Sequence, residues 1–285
     1  MKSQIKFLFA ILILFSVTSC GTNIFEGFVE ENDDINLSDA LDEATSVEDY
    51  NEIIEDADSI INSDAASDTD KADAYKAKSE AILGSIELSP IDIFSDLNDS
   101  ATSGDNPLSV LDLDVDNAQL IESANAIASA NALDSDSTDD EDLLKGVVNT
   151  MVVVNTIDEA LSISDDGEIT QVNEDQTYWE TLTDVMYPDD NNTSVTIADY
   201  AENAYDGYED SDSLSSEQLS DLETTSEALT EVESLFSAIT NGTSYTDPSG
   251  NTVTYPALST DESASDEVNE FIETQLGNIF QDMTQ

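Results

Sequence analysis

The chain has 285 residues, and its 65 acidic residues face six Lys, no Arg and no His, for a formal net charge of −59. A surface this negative repels phosphate backbones and anionic headgroups and lacks the cations whose counterion release drives nucleic-acid binding, so nucleic acid is excluded as a partner. Without His there is no Ser/His/Asp or Cys/His nucleophile pair and no histidine metal ligand, and without Arg there is no forked clamp for phosphate.

In chain order the first feature is a targeting segment. Lys2 and Lys6 flank the start, Phe7 to Val17 is almost wholly apolar, and Val17-Thr18-Ser19 leads into Cys20, the single cysteine of the chain. The apolar stretch falls short of the roughly 18 to 20 residues that cross a bilayer as a helix, so it reads as a leader and not as a permanent span. Val17 and Ser19 also suit an ordinary cleaved leader, but such a leader does not account for a solitary Cys at this position. The pattern resembles the lipobox of bacterial lipoproteins, over residues 1–21 alone. The resemblance implies cleavage before Cys20, a diacylglyceryl thioether on that residue and an acylated amino terminus. Two or more acyl chains anchor stably where one binds marginally. Gly21 stands where an Asp marks inner-membrane retention in enteric bacteria, so the resemblance implies the outer membrane.

After Cys20 the chain holds four Lys against all 65 acidic residues. Cation capture or docking onto a basic partner is the functional reading of that excess, and adaptation of an exposed protein to saline surroundings is the plain one. Placement favours the plain one. The longest acidic run, Asp139 to Asp142, is short of the five or six that mark an acidic tail, and elsewhere Asp and Glu are interleaved with Ser, Thr and apolar residues. Near ~1 M salt the screening length falls to about 3 Å, so salt is expected to help the chain stay compact. The charge and the apolar content of 39% lean toward disorder, but the periodicity opposes it.

Val47, Tyr50, Ile53, Ile54, Ala57, Ile60 and Ile61 fall at three-and-four spacing and predict a helix, with Thr45 and Glu48 as its capping box. A polar turn, Asn62 to Asp68, leads to a second helix with Ala72, Tyr75, Ser79, Ile82, Leu83 and Ile86 on one side. Two helices so joined pack antiparallel. Leu120, Ile121, Ala124 and Ile127 begin a third. A link with Asp134 and Asp136 and the capping pair Thr138 and Glu141 then opens a fourth, through Leu143, Leu144, Val147, Val148, Met151, Val152, Ile157 and Leu161. The run Val152 to Val154 competes as a strand, but length and cap favour a helix at the centre of the domain. Ile197, Tyr200, Ala201, Ala204, Tyr205 and Tyr208 predict another helix. Leu219, Leu222, Leu229, Val232, Phe236 and Ile239, opened by Ser215 and Gln218, predict the next. Ser244 to Tyr255 reads as a small hairpin about Asp247-Pro248-Ser249-Gly250. Val268, Phe271, Ile272, Leu276, Ile279 and Phe280 predict the last helix, opened by Ser259 or a nearby polar residue.

Ile53-Ile54-Glu55-Asp56-Ala57-Asp58-Ser59-Ile60 and Leu120-Ile121-Glu122-Ser123-Ala124-Asn125-Ala126-Ile127 share a pattern, and each precedes an acidic link and a second helix, as in a duplicated helical pair. Ala72-Asp73-Ala74-Tyr75 with Ser79, Ile82, Leu83 and Gly84 resembles the first helix of a tetratricopeptide repeat, and helix 46–62 resembles the second helix of a preceding unit. The resemblance covers about 40 residues, about 110 with the degenerate second copy. Ser89-Pro90-Ile91 to Pro107 intervenes where a partner helix is expected. The resemblance implies stacked helical hairpins with a groove for a peptide or partner protein. A generic amphipathic bundle accounts for the same pattern.

Two constellations test for chemistry. Glu174 and Glu180 around Tyr178-Trp179 are the best carboxylate pair for glycoside hydrolysis, while Trp179, Leu182 and Val185 equally form a core stripe. Ser162, Ser164, Asp166, Gly167 and Ile169 partly meet an EF-hand pattern, but position twelve is Asn173 with Glu174 one place late, and Asp165-Asp166-Gly167-Glu168 is equally an ordinary turn. No Ser/Lys spacing is present, and no catalytic, cofactor or metal residue is assigned.

The reading is an all-α protein of antiparallel helical hairpins, tetratricopeptide-like or an irregular bundle, with one β-hairpin near 244–255. Residues 1–19 form a lipoprotein signal peptide, 20–37 a lipidated tether and 38–285 an acidic helical domain. The expected role is a non-enzymatic scaffold or adaptor for an envelope protein, lipid-anchored in the bacterial outer membrane through Cys20 and working without a cofactor. The alternatives are a cation-binding surface lipoprotein and a carboxylate-based glycan hydrolase.

Overall fold

The computed structural model describes residues 37–88, 115–134, 137–163, 169–171, 176–189, 192–211, 216–246, 250, 252–254 and 272–275. The leader with Cys20, the segment from Ser89 to Pro107 and most of the predicted last helix lie outside them. The protein is all-α. Its helices are α1 (Leu37–Glu43), α2 (Val47–Ile61), α3 (Asp68–Ser85), α4 (Asn117–Leu133), α5 (Asp139–Ala160), α6 (Tyr178–Met186), α7 (Ile197–Asp210) and α8 (Ser216–Asn241). Residues 272–275 are also helical and bury Ile272. Among the described residues no helix is long and apolar enough to cross a membrane.

Acidic residues start the helices. Five helices carry a full capping box, with Ser46/Asp49, Ser67/Asp70, Thr138/Glu141, Thr177/Glu180 and Thr196/Asp199 as the reciprocal pairs. Each box satisfies orphan N–H groups and sets a negative charge at the positive end of the helix dipole. The box of α2 lies one residue past the expected Thr45 and Glu48. Asp49 collects the N–H groups of both Thr45 and Ser46, each at 2.9 Å, which the Glu48 register does not offer. Those bonds, chiefly the one from Thr45, hold the Asp49 carboxyl below the usual carboxylate range.

Helices pack largely in chain order, α2 on α3, α3 on α4, α4 on α5, α5 on α7 and α7 on α8, with α6 against α5 and α8. A helix inside such an array is covered on both sides. Accordingly α3 buries Ala72, Ala74, Lys76, Ala77, Ser79, Ala81, Ile82 and Leu83 around its whole circumference, not on the single side expected. Helix α5 is likewise central. Val152 and Val153 are buried within it, so the strand alternative for this run is wrong.

Two cores result. The smaller joins Leu37 and Leu41 of α1 and Ile53 and Ala57 of α2 to Ala74, Ala77 and Ala81 of α3. The larger runs from Leu83 and α4 through α5, α6 and α7 to Leu229, Val232 and Leu235 of α8. Val47, expected on the apolar stripe of α2, is 40% exposed.

The hairpin near 244–255 is present as β3 (Ser244–Thr246) paired antiparallel with β4 (Thr252–Thr254), Tyr245 facing Val253 in register. A second hairpin, β1 (Leu161–Ile163) with β2 (Ile169–Gln171), was not expected. Asp166-Gly167 between Ile163 and Ile169 is the sequence signal that identifies it. Helix α1 was missed too. Seven residues are too few to display a helical period, and the fold reaches back to Leu37, the expected end of the tether.

Candidate functional site

Of the four described Lys side chains, Lys76, Lys78 and Lys145 reach carboxylates of neighbouring helices. On α3, Lys76 Nζ lies 2.6 Å from Glu141 at the start of α5 and 3.4 Å from Asp73, with the Lys76 and Glu141 side chains 7% and 5% exposed. Burial alone would lower the pKa of Lys76, but Glu141 and Asp73 outweigh it and hold the ammonium above its ordinary value. Glu141 also accepts the Thr138 N–H at 3.1 Å, so one carboxylate caps α5 and pins it to α3. Lys78 reaches Asp58 of α2 and Glu122 of α4, both at 2.8 Å. Beside it the Ser79 and Ser123 hydroxyls pair at 2.8 Å inside the α3–α4 crossing. Lys145 of α5 lies 3.8 Å from Asp206 of α7.

At the α5–α7 crossing the fit is steric. A Cβ on Gly207 would run into the backbone of Gly146 and Asp142, and one on Gly146 would press on the Tyr208 ring. Tyr208 is buried, and burial pushes its phenol far up.

A trough of about 810 Å³ lies between α4, the end of α5 and the α6 segment. Its volume lies within the range of about 300–1,000 Å³ that ligand sites occupy. Asp116, Glu122, Glu159, Asp184 and Asp189 line it, and Tyr187, Pro188 and Ile121 give it apolar wall. No Lys is among the lining residues. Asp116 caps α4 by accepting the Ala118 N–H at 3.0 Å. Glu159 accepts from Asn155 at 3.2 Å, but burial first, and then the neighbouring Asp116 and Asp158, push its carboxyl above the usual value. Asp184 accepts from Gln176 at 2.9 Å.

Asn117 lines the same trough and is only 9% exposed. Its Nδ2 donates to Thr156 at 3.0 Å, tying α4 to α5, while its buried Oδ1 has no hydrogen-bond donor. Behind the trough Tyr187 meets Phe236 edge-on at 5.4 Å, and Phe236 stacks on Trp179 at 5.0 Å. Trp179 therefore belongs to an aromatic cluster that reaches the trough wall.

Of the residues singled out in the sequence, Cys20, Asp166, Asn173 and Glu174 lie outside the described residues. Glu180 is the N3 carboxylate of α6 and accepts from Thr177 N at 2.8 Å and Thr177 Oγ1 at 2.9 Å. These bonds, the backbone one first, hold its pKa below the usual range, the reverse of what a general acid requires. The segment read against an EF-hand pairs Ser162 with Thr170 as a hairpin, a different geometry from helix–loop–helix. Among the described residues no three Cys, Asp or Glu side chains are placed to hold a metal ion. The trough was not foreseen. Its carboxylates come from three distant stretches that no motif spacing links.

Comparison with protein-family models, with curated proteins and with solved structures finds no match to this chain.

Proposed function

We infer that the protein is a lipid-anchored lipoprotein of the bacterial envelope, held in the outer membrane through Cys20, and that its helical body serves without catalysis as a scaffold for a partner protein. The anchor rests on the leader pattern that ends at Val17-Thr18-Ser19-Cys20. The scaffold role rests on one observation, the walled trough on a chain-ordered stack of helices, since such arrays bind through the concave faces that stacking leaves. An acid–base role for Glu180 is disfavoured by its Oε2, which serves the cap of α6.

Growth with labelled palmitate tests the anchor, and crosslinking in native envelopes tests the scaffold. The expected result is a lipid label that disappears in Cys20→Ala, together with one discrete protein adduct of the parent. An unlabelled parent would remove the anchor, and the absence of any specific adduct would remove the scaffold.

A further inference from the structure

We propose that α1 is a latch on the helical body, docked while Glu80 of α3 carries a proton and released once that carboxyl is ionised. Helix α1 has seven residues, and a helix so short is marginal without tertiary contacts. Its buried residues are Leu37 and Leu41, which meet Ile53 and Ala57 of α2 and Ala74, Ala77 and Ala81 of α3 in the smaller core. An element with so little buried apolar surface opens on its own, ahead of the rest of the fold.

Glu80 stands where α1 docks. On α3, residues 77, 80, 81 and 84 share one side. Ala77 and Ala81 belong to the smaller core, and the Tyr50 ring of α2 crowds the space beside Gly84. Glu80 is therefore on the side that α1 and α2 cover, with Asp42 of α1 as the charged group that bears on it. The cations of α3 are turned elsewhere. Lys76, one turn earlier, meets Asp73 and Glu141 of α5, and Lys78 meets Asp58 of α2 and Glu122 of α4. Burial and the Asp42 charge are thus what act on Glu80, with no hydrogen bond or cation among the described residues to oppose them, and they push its carboxyl from 4.5 up to about 8.

An ionised carboxylate in that place regains water if α1 lifts away or if the Glu80 side chain swings out and leaves α1 seated. Lifting α1 removes the cover and the Asp42 charge together, whereas α3 is enclosed on its other sides by α2 and α4. The docked state holds a proton that the open state releases. Docking is therefore fullest below 4.5, weakens as pH rises through the window, and levels off past about 8. On the anchor reading, opening adds residues 37–46 to the chain between Cys20 and the body, at roughly 3.3–3.6 Å per residue when extended, so external pH sets how far the scaffold stands from the membrane.

Hydrogen exchange read by mass spectrometry on the full-length protein in detergent, corrected for the intrinsic pH dependence of amide exchange, tests the latch. The expected result is a protection of the α1 amides that falls about tenfold per pH unit between pH 5 and pH 7.5, while the α4 amides keep theirs. Glu80→Gln, a neutral side chain of the same size, is expected to hold α1 protection within about threefold over that range. Asp42→Asn makes the fall smaller, and Glu52→Gln at an exposed position of α2 leaves it as in the parent. Protection of α1 that is absent at pH 5, or that does not change with pH, would overturn the proposal. So would an equal fall in Glu80→Gln, or a loss that α4 shares step for step, which is global unfolding. The comparison of α1 with α4 within the parent decides the matter even where Glu80→Gln does not fold. A parent that takes no lipid label removes the effect on reach and leaves the latch standing, whereas pH-independent protection of α1 removes the latch and leaves the anchor.

Discussion

The α3–α4 crossing and the α5–α7 crossing solve the same packing problem with different materials. At the first, the small Ser79 of α3 and Ser123 of α4 meet through their hydroxyls inside the crossing, and Lys78 ties α3 to Glu122 of α4, so that polar contacts fix the register. At the second, Gly207 seats against the Gly146 backbone and Tyr208 fills the space beside it, so shape sets the approach, with Lys145 and Asp206 3.8 Å apart across it. Small residues permit close approach without choosing a register, and in this chain scarce cations choose it. Where glycine meets backbone, the steric fit is itself the choice.

The largest expected effect comes from breaking the buried ion pair that joins α3 to the start of α5. Lys76→Met leaves Glu141 buried without its partner, and loss of one member of such a pair costs about 3–5 kcal/mol in denaturant unfolding. Adding Glu141→Gln keeps an acceptor for the Thr138 N–H and is expected to recover more than half of the loss. If the single variant unfolds within error of the parent, the Lys76–Glu141 pair does not hold the start of α5 to α3.

A matched pair of glycine changes separates the steric half from the rest. Gly207→Ala drives a Cβ into the α5 backbone and is expected to cost about 1–3 kcal/mol. Gly84→Ala meets the half-buried ring of Tyr50, a side chain that can swing aside, and the helix-propensity gain offsets most of its smaller cost. Equal losses at the two sites would erase the distinction between the crossings.

The third test uses Glu80, on α3 in the small-residue region. Burial, and then Asp42 of α1, push its carboxyl from 4.5 up to about 8. Between those values the folded state holds a proton that the unfolded chain releases, so stability is fullest on the acid side and falls as pH rises through the window. Glu80→Gln is expected to remove a slope of roughly 1 kcal/mol per pH unit from the unfolding curve. A slope unchanged between pH 5 and pH 8 would show that α1 does not enclose this carboxyl.

What the sequence made legible follows from period and length. The faces of α2, α4, α5, α7 and α8 and the cap at Thr138/Glu141 follow from spacing, and Trp179, Leu182 and Val185 do form one side of α6, with Leu182 and Val185 fully buried. Helix α1 and the β1–β2 strands are too short to show a period. The encirclement of α3 is invisible to a periodicity argument, because alanine reads as compatible with any face and Lys76 reads as solvent-exposed. The trough is tertiary in origin. Asn117 sits one residue after a helix cap and looks like an ordinary first-turn residue until Thr156 of α5 is brought against it.

The hidden ammonium groups bear on how this chain meets proteases. Enzymes of the trypsin class cut after Lys or Arg and need that side chain extended into a carboxylate-bearing specificity pocket. No Arg exists to be cut, and of the four Lys after Cys20, Lys76, Lys78 and Lys145 lie inside helices with their ammonium groups turned to carboxylates of neighbouring elements. Lys71, half-buried in the first turn of α3, is the remaining foothold. The same economy of cations that orients the helices thus withholds nearly every cleavage point of that class from a digestive enzyme until the body unfolds.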